Sequence, residues 1–279
     1  MWGVVDRAEV FDSIAVLGYA GSMRYPGGKA GSGVYQRIIS QMPPHGVYVE
    51  PFLGGGAVMR MKRPARWNFG VDIDPAVVTM AAVLAGRGDW ISSRARLAFP
   101  GDGGPDVTFY CRDGIRFLGD MEHGLTSANR MLVYCDPPYL MSTRSSKRRV
   151  YRYELEEPGH IALLDVAVRL PCLVMISGYP SKLYDDRLSS WRVVRYRTMT
   201  RGGRMADECL WCNFPEPTEL HDYRYLGRDF RERERIRRKC SRWVAMLSAM
   251  PVLERAALVS ALLAGSAAGR SDPLPQGEV

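Results

Sequence analysis

The tetrapeptide Asp136-Pro137-Pro138-Tyr139 places a carboxylate, two prolines and an aromatic ring at the end of the apolar run Met131-Leu132-Val133-Tyr134-Cys135. Each proline removes a backbone donor and fixes φ, so a strand must stop there with its carbonyls held in a set direction. The product is a rigid group of acceptors beside a flat ring. It suits an exocyclic amino group on a planar base: an Asp136 oxygen and the Pro137 carbonyl accept the two hydrogens while Tyr139 stacks on the ring. A plain Asp-Pro-Pro turn between strand and loop is the alternative.

Other stretches offer matching chemistry upstream. Arg24-Tyr25-Pro26-Gly27-Gly28-Lys29 is a glycine turn that ends in a cation and precedes a helix predicted over Val34 to Met42; it is either a binding loop or an ordinary turn. Val47-Tyr48-Val49-Glu50-Pro51-Phe52-Leu53-Gly54-Gly55-Gly56 reads as a short apolar strand entering a glycine-rich turn and then a helix, the pattern that lines the crevice of an open parallel sheet. The dinucleotide spacing of glycines is absent, so an adenosine-bearing ligand without a pyrophosphate fits better, with Glu50 facing a cationic or amino group. Asp72 closes a second strand 16 residues after Gly56, where one carboxylate can take two vicinal ribose hydroxyls. Asp74 reads as a helix N-cap, with Pro75 opening a helix over Ala76 to Leu84. A third strand, Val107 to Cys111, leads to Asp113, which either reaches the ligand's adenine or caps the helix Gly114 to Gly119.

These positions all require the carboxyl ends of parallel strands, and the rest of the chain can supply such a sheet. The strands just named, Met131 to Cys135, Leu173 to Ser177, and a closing hairpin of Arg192 to Thr198 with Glu208 to Phe214 make seven. A helix over His160 to Arg169 precedes the fifth. After Tyr139 comes a basic loop with Arg144, Lys147, Arg148, Arg149 and Arg152 interleaved with Tyr151 and Tyr153, a composition suited to phosphates beside an unstacked base. From Asp222 the character changes: residues 228–242 hold eight Lys or Arg against three acids, an arginine-rich helix, and a second helix opens at Pro251. The divisions expected are an extension over 1–22, since Met23 stands just before the first motif, a catalytic domain over 23–220, a helical extension over 221–264 and a flexible tail over 265–279.

At 279 residues, 46% hydrophobic and 24% charged, the chain has the composition of a folded α/β protein. No run approaches the ~18 apolar residues of a membrane span, and no signal peptide is evident, so a cytoplasmic protein without a membrane partner is expected. Six scattered cysteines suit reduced thiols there. Cys209 and Cys212 would need two further ligands to hold zinc, and no metal is expected. The net charge of +8 favours a polyanionic partner.

Taken in order, the lysine-glycine loop, Glu50-Pro-Phe-Leu-Gly-Gly-Gly, the acid at Asp72 and Asp-Pro-Pro-Tyr resemble the Dam-like, or D12, class of N6-adenine-specific DNA methyltransferases over residues 24–214. The resemblance implies a Rossmann-like class I methyltransferase sheet, S-adenosylmethionine as cofactor and an adenine flipped out of double-stranded DNA as substrate. It implies cofactor contacts from Tyr25, Lys29, Glu50, Phe52, Gly54, Gly56, Asp72 and, less securely, Asp113. Asp136, Pro137 and Tyr139 match the residues that hold and stack the target base. One departure stands out: only 82 residues separate Gly54 from Asp136, too few for the family's recognition domain. Readout then falls to the loop after Tyr139, to residues 201–206 or to the arginine-rich helix. A same-fold enzyme acting on RNA or a protein amide, or an inactive DNA-binding relic, are the rival readings.

Overall fold

The computed structural model describes residues 28–31, 33–86, 106–122, 130–144, 148–199, 203 and 205–268. The extension over 1–22, Tyr25, Lys147 and most of the tail lie outside these residues. In chain order the elements are α1 (Val34–Ile39), β1 (Val47–Glu50), α2 (Ala57–Met61), β2 (Trp67–Asp72), α3 (Pro75–Gly86), β3 (Asp106–Cys111), α4 (Gly114–Glu122) and β4 (Met131–Cys135). Then come α5 (Glu157–Arg169), β5 (Leu173–Gly178), α6 (Lys182–Arg187), β6 (Arg192–Met199), β7 (Met205–Cys212), α7 (Phe230–Ala249) and α8 (Val252–Ala268). The chain divides into two compact units at Tyr225/Leu226.

In the first unit one sheet carries the order β3-β2-β1-β4-β5-β7-β6. The strands β1 to β5 are parallel, and β7 runs antiparallel between β5 and β6. Side chains alternate across it as the pleat requires. Leu132 and Tyr134 of β4 pack with Ile38, Val58, Met59 and Val78 of α1 to α3, while Val133 and Cys135 pack with Leu118, Leu163 and Leu164 of α4 and α5. Every residue of β4 is buried, the signature of a strand covered on both faces. This is a Rossmann-like α/β sheet, seven strands with helices on both faces, and α7 and α8 form a helical C-terminal extension.

The first helix and the last strand are among the elements whose boundaries differ from expectation. The first helix ends at Ile39 instead of Met42, because Gln41 N and Met42 N turn to the carbonyls three residues back. The last strand runs from Met205 to Cys212, and just beyond it the Asn213 side chain accepts from Val174 N and donates to the Cys172 carbonyl. Cys209 and Cys212 face opposite layers of the core, so the strand separates them as co-ligands. Among the described residues no helix is long and apolar enough to cross a membrane, and no cluster of three or more His, Cys, Asp or Glu is placed to hold a metal.

Candidate active site

Strand order reverses between β1 and β4, and the crevice of an open sheet opens at the carboxyl ends of such a pair. Glu50 ends β1 and Asp136 follows β4, so the sheet itself brings the two acids together. A cleft there is lined by Gly28, Lys29, Glu50, Phe52, Gly54 and Gly56, and by Asp136 and Tyr151. Gly54 and Gly56 adopt φ of 47° and 58°, a left-handed turn that lets backbone form the cleft wall.

Glu50 is buried, and its Oε2 accepts from the Tyr48 hydroxyl at 3.0 Å and from Met59 N at 3.1 Å. Burial, with the negative charge of Asp136, pushes its carboxyl up to about 8 despite these hydrogen bonds. Asp72 sits at the end of β2, with Oδ2 taking Gly54 N at 2.8 Å and Oδ1 taking Asp74 N at 2.9 Å. It thereby ties the glycine turn to the β2 exit. Asp74 caps α3 through Ala76 N, as its sequence position suggests. Asp113 accepts from Arg116 N at 2.9 Å, so of its two sequence readings the cap is the one visible in the structure.

Behind the cleft lies a buried polar network. Lys29 Nζ forms an ion pair with Asp136 Oδ1 at 2.8 Å and donates to the Tyr139 hydroxyl at 2.6 Å. The Tyr139 hydroxyl donates in turn to Glu208 Oε2 at 3.2 Å, which also accepts from Tyr196, while Thr198 donates to Oε1. Burial alone would lower Lys29, but Asp136 and Glu208 more than offset it and hold the ammonium charged. Burial raises the Asp136 carboxyl, with Lys29 opposing that rise. Asp136 Oδ1, itself buried, thus has the Lys29 ammonium as its charge partner. Tyr139 is 9% exposed, with the Tyr179 ring against it at 4.6 Å and Lys29 Nζ 4.5 Å from its ring centre.

The basic loop divides into an inward and an outward part. Arg144 does not face solvent: its guanidinium grips both oxygens of Glu154 at 3.0 and 2.7 Å, and Nε donates to the Tyr139 carbonyl at 2.6 Å. Its side chain is 9% exposed, so it organises the loop and cannot serve as an open phosphate ligand. Glu154 also takes Val150 N and Tyr151 N. These donors, Arg144 foremost, outweigh burial and bring its carboxyl down to about 2. Arg148, Arg149 and Arg152 are exposed; Arg152 reaches Asp74 at 3.4 Å and Arg149 reaches Glu156 at 3.5 Å.

Sequence reasoning left the roles of Glu208 and Glu154 unassigned, and placed Tyr151 in the basic loop without placing it in the cleft. Glu208 was visible only as an acid in an apolar strand, a cost a chain bears when the acid has partners. Gly114 carries a second unassigned role: a Cβ there would meet the Pro51 carbonyl oxygen at 2.1 Å, so α4 approaches the β1 exit only because this residue is glycine.

No family model and no curated protein matches this chain. Among solved structures it is similar to the SAM-dependent methyltransferase from Agrobacterium tumefaciens, at 11% identity over 64% of this chain and 58% of that one, with a TM-score of 0.36. The magnesium protoporphyrin IX methyltransferase of Synechocystis PCC 6803 with bound SAM is similar at 13%, covering 64% and 75%, TM-score 0.35. An rRNA methylase from Streptococcus thermophilus follows at 8%, covering 64% and 92%, TM-score 0.37. This chain thus spans less than two thirds of the Agrobacterium protein. Likeness at this level does not extend to ligand or activity.

Proposed function

We propose that this chain is a site-specific DNA methyltransferase that transfers a methyl group from S-adenosylmethionine to N6 of an adenine flipped out of double-stranded DNA. The observation that carries the reading is one cleft lined by both Glu50 with its glycine turn and Asp136 of the Asp-Pro-Pro-Tyr segment. A cofactor wall and a base-holding acid must share a space for direct transfer, and the candidates for both line one cleft.

The residues fit the cofactor. Glu50 is a buried acid with raised proton affinity at the end of β1, suited to an ammonium group, and the left-handed turn at Gly54 and Gly56 leaves room for backbone against it. Asp72 at the β2 exit is the candidate for the ribose, and Phe52 stands between them in sequence. When bound, the cofactor supplies an electrophilic methyl group on a sulfonium.

The chain's own work is done at the amino nitrogen. Adenine N6 is a weak nucleophile because its lone pair is conjugated with the ring. An ionised Asp136, whose side chain lines the cleft, accepts a hydrogen bond from N6 that strengthens as positive charge develops there. Lys29 favours the ionised carboxylate, which accepts and does not donate. Extruding the base costs a few kcal/mol, offset by stacking and phosphate contacts. Tyr151 supplies a ring at the cleft with Tyr139 behind it, and Arg148, Arg149 and Arg152 supply exposed cations.

The test is methyl transfer from labelled S-adenosylmethionine to unmethylated duplex DNA, followed by digestion to nucleosides. N6-methyladenine is the expected product. Label appearing in RNA or protein and not in DNA overturns the substrate; no binding of the cofactor overturns the whole reading.

A further inference from the structure

The second unit presents a feature that the cleft does not use. Helix α7 is capped at Asp229, whose carboxylate accepts from Glu232 N at 2.8 Å, and it runs for 20 residues. At 3.6 residues per turn, Arg231, Arg235, Arg238 and Arg242 fall within about 60° of one another around the axis. Ile236, Cys240, Trp243 and Leu247 form an apolar stripe on the opposite side. All four arginines are exposed. Among the described residues Arg235 alone of the four has an acid within reach, Glu232 at 3.6 Å, while the other two acid contacts of the helix, Arg228 with Glu232 and Arg237 with Glu234, lie off the stripe.

A solvated helix face needs charge but has no need to align it. Here one residue type recurs at i, i+4, i+7 and i+11, and like charges at i, i+4 oppose the helix by a few tenths of a kcal/mol per pair. Arginine is the cation whose planar fork matches phosphate oxygens. The stripe extends about 16 Å, the axial length over which one strand of B-DNA presents about five phosphates. A helix about 10–12 Å across also fits the B-form major groove, whereas the A-form groove of duplex RNA is too narrow for it.

We infer that the arginine face of α7, marked by Arg231, Arg235, Arg238 and Arg242, is a binding surface for the phosphate backbone of duplex DNA. The inference rests on the reading above that duplex DNA is the substrate. It gives the short recognition interval between Gly54 and Asp136 a partner elsewhere in the chain.

The experiment uses the full chain and a fluorescent unmethylated 30-base-pair duplex, with affinity measured from 0.05 to 0.3 M KCl. Replacing all four arginines by glutamine should reduce the slope of log affinity against log salt by about 3–4 and weaken binding at 0.1 M by about 10²–10³-fold. Arg238→Gln with Arg242→Gln should give about half the slope change, and helical circular dichroism verifies folding of both variants. A matched control, Lys182, Arg187, Arg195 and Arg197 all to glutamine, should change the slope by less than one unit. A slope unchanged in the stripe variants, an equal loss in the control, or a stripe dependence seen on duplex RNA and not on DNA would each overturn the inference. A chain that methylates DNA without stripe dependence loses only this inference. One that binds DNA through the stripe but transfers no methyl group loses only the proposed function.

Discussion

Lys29 and Asp136, 107 residues apart in the sequence, meet as an ion pair of 2.8 Å in which both side chains are largely buried. The pair joins the lysine-glycine loop to the Asp-Pro-Pro-Tyr segment and favours the ionised form of the acid proposed to hold the base. Removing the acid tests its share directly. Asp136→Ala should lower methyl transfer to DNA by at least about 10²–10³-fold, the loss seen when one charge-stabilising partner of a transition state is deleted. Cofactor affinity, measured by calorimetry, should change little, and near-normal turnover would remove Asp136 from the mechanism.

The partner makes a different prediction. Without Lys29, burial acts on Asp136 with its main opposition removed, so its proton is held to higher pH. Lys29→Met should therefore move the acid limb of the rate profile to higher pH by a unit or more, with activity partly recovered in alkaline buffer. Breaking a buried pair also costs stability, on the order of 3 kcal/mol, and thermal melting will show it. An unshifted profile with lowered stability would reduce Lys29 to packing.

Glu50 links cofactor affinity to protons. With its carboxyl at about 8, the free chain carries a proton there at neutral pH, and pairing with an ammonium expels it. Affinity should rise close to tenfold per unit from pH 5 to 7, while the ligand amine keeps its own proton, with close to one proton released per ligand in buffers of different ionisation heat. The stability sign follows from the same shift. A raised acid favours the folded chain at low pH, and that advantage is lost as pH rises from about 4.5 through 8. Glu50→Gln should melt increasingly above the wild type across that window, and an identical pH dependence would exclude Glu50 as the source.

The seven strands, the ends that carry Glu50, Asp72 and Asp136, and the helical extension were legible because apolar runs bounded by glycine, proline and acids signal strand exits locally. Lys29 on Asp136 and Glu208 beneath Tyr139 were not, because these contacts span 107 and 69 residues and depend on how the sheet closes. Arg144 shows the limit most clearly. Its type and neighbours match those of Arg148 and Arg149, and only the fold, by placing Glu154 opposite, turns it inward.

Gly114 offers a test of the scaffold alone. Its absent side chain lets α4 press against the β1 exit, where an added methyl would lie 2.1 Å from the Pro51 carbonyl oxygen, a backbone atom that no rotamer change can move. Gly114→Ala should displace the turn that carries Phe52 to Gly56, with a stability loss of about 1–3 kcal/mol as for an overpacked core. Cofactor affinity should fall with it. Full stability and affinity would show that α4 can retreat from the turn at no cost.

Arg144 and Arg149 separate structure from contact within one loop. Arg144 is 9% exposed and shares two hydrogen bonds with Glu154, which is 1% exposed, whereas the Arg149 and Glu156 side chains are 72% and 77% exposed at 3.5 Å. Arg144→Gln leaves a buried carboxylate without its cation and should cost on the order of 3 kcal/mol. Arg149→Gln should leave melting within about 0.5 kcal/mol of the wild type, since exposed pairs contribute little. Their effects on DNA should run the other way round in salt. Loss of Arg149 should reduce the salt slope of binding by about one unit, the contribution of a single phosphate contact, while loss of Arg144 should weaken transfer without that change in slope. Because Glu154 is held down to about 2, the Arg144 contribution should persist to mildly acidic pH and fade only as pH falls below about 4.5 towards 2. Two arginines five positions apart would then be told apart by melting, by salt and by acid, and equal behaviour in all three would show that the loop is organised by something other than the Arg144 and Glu154 pair.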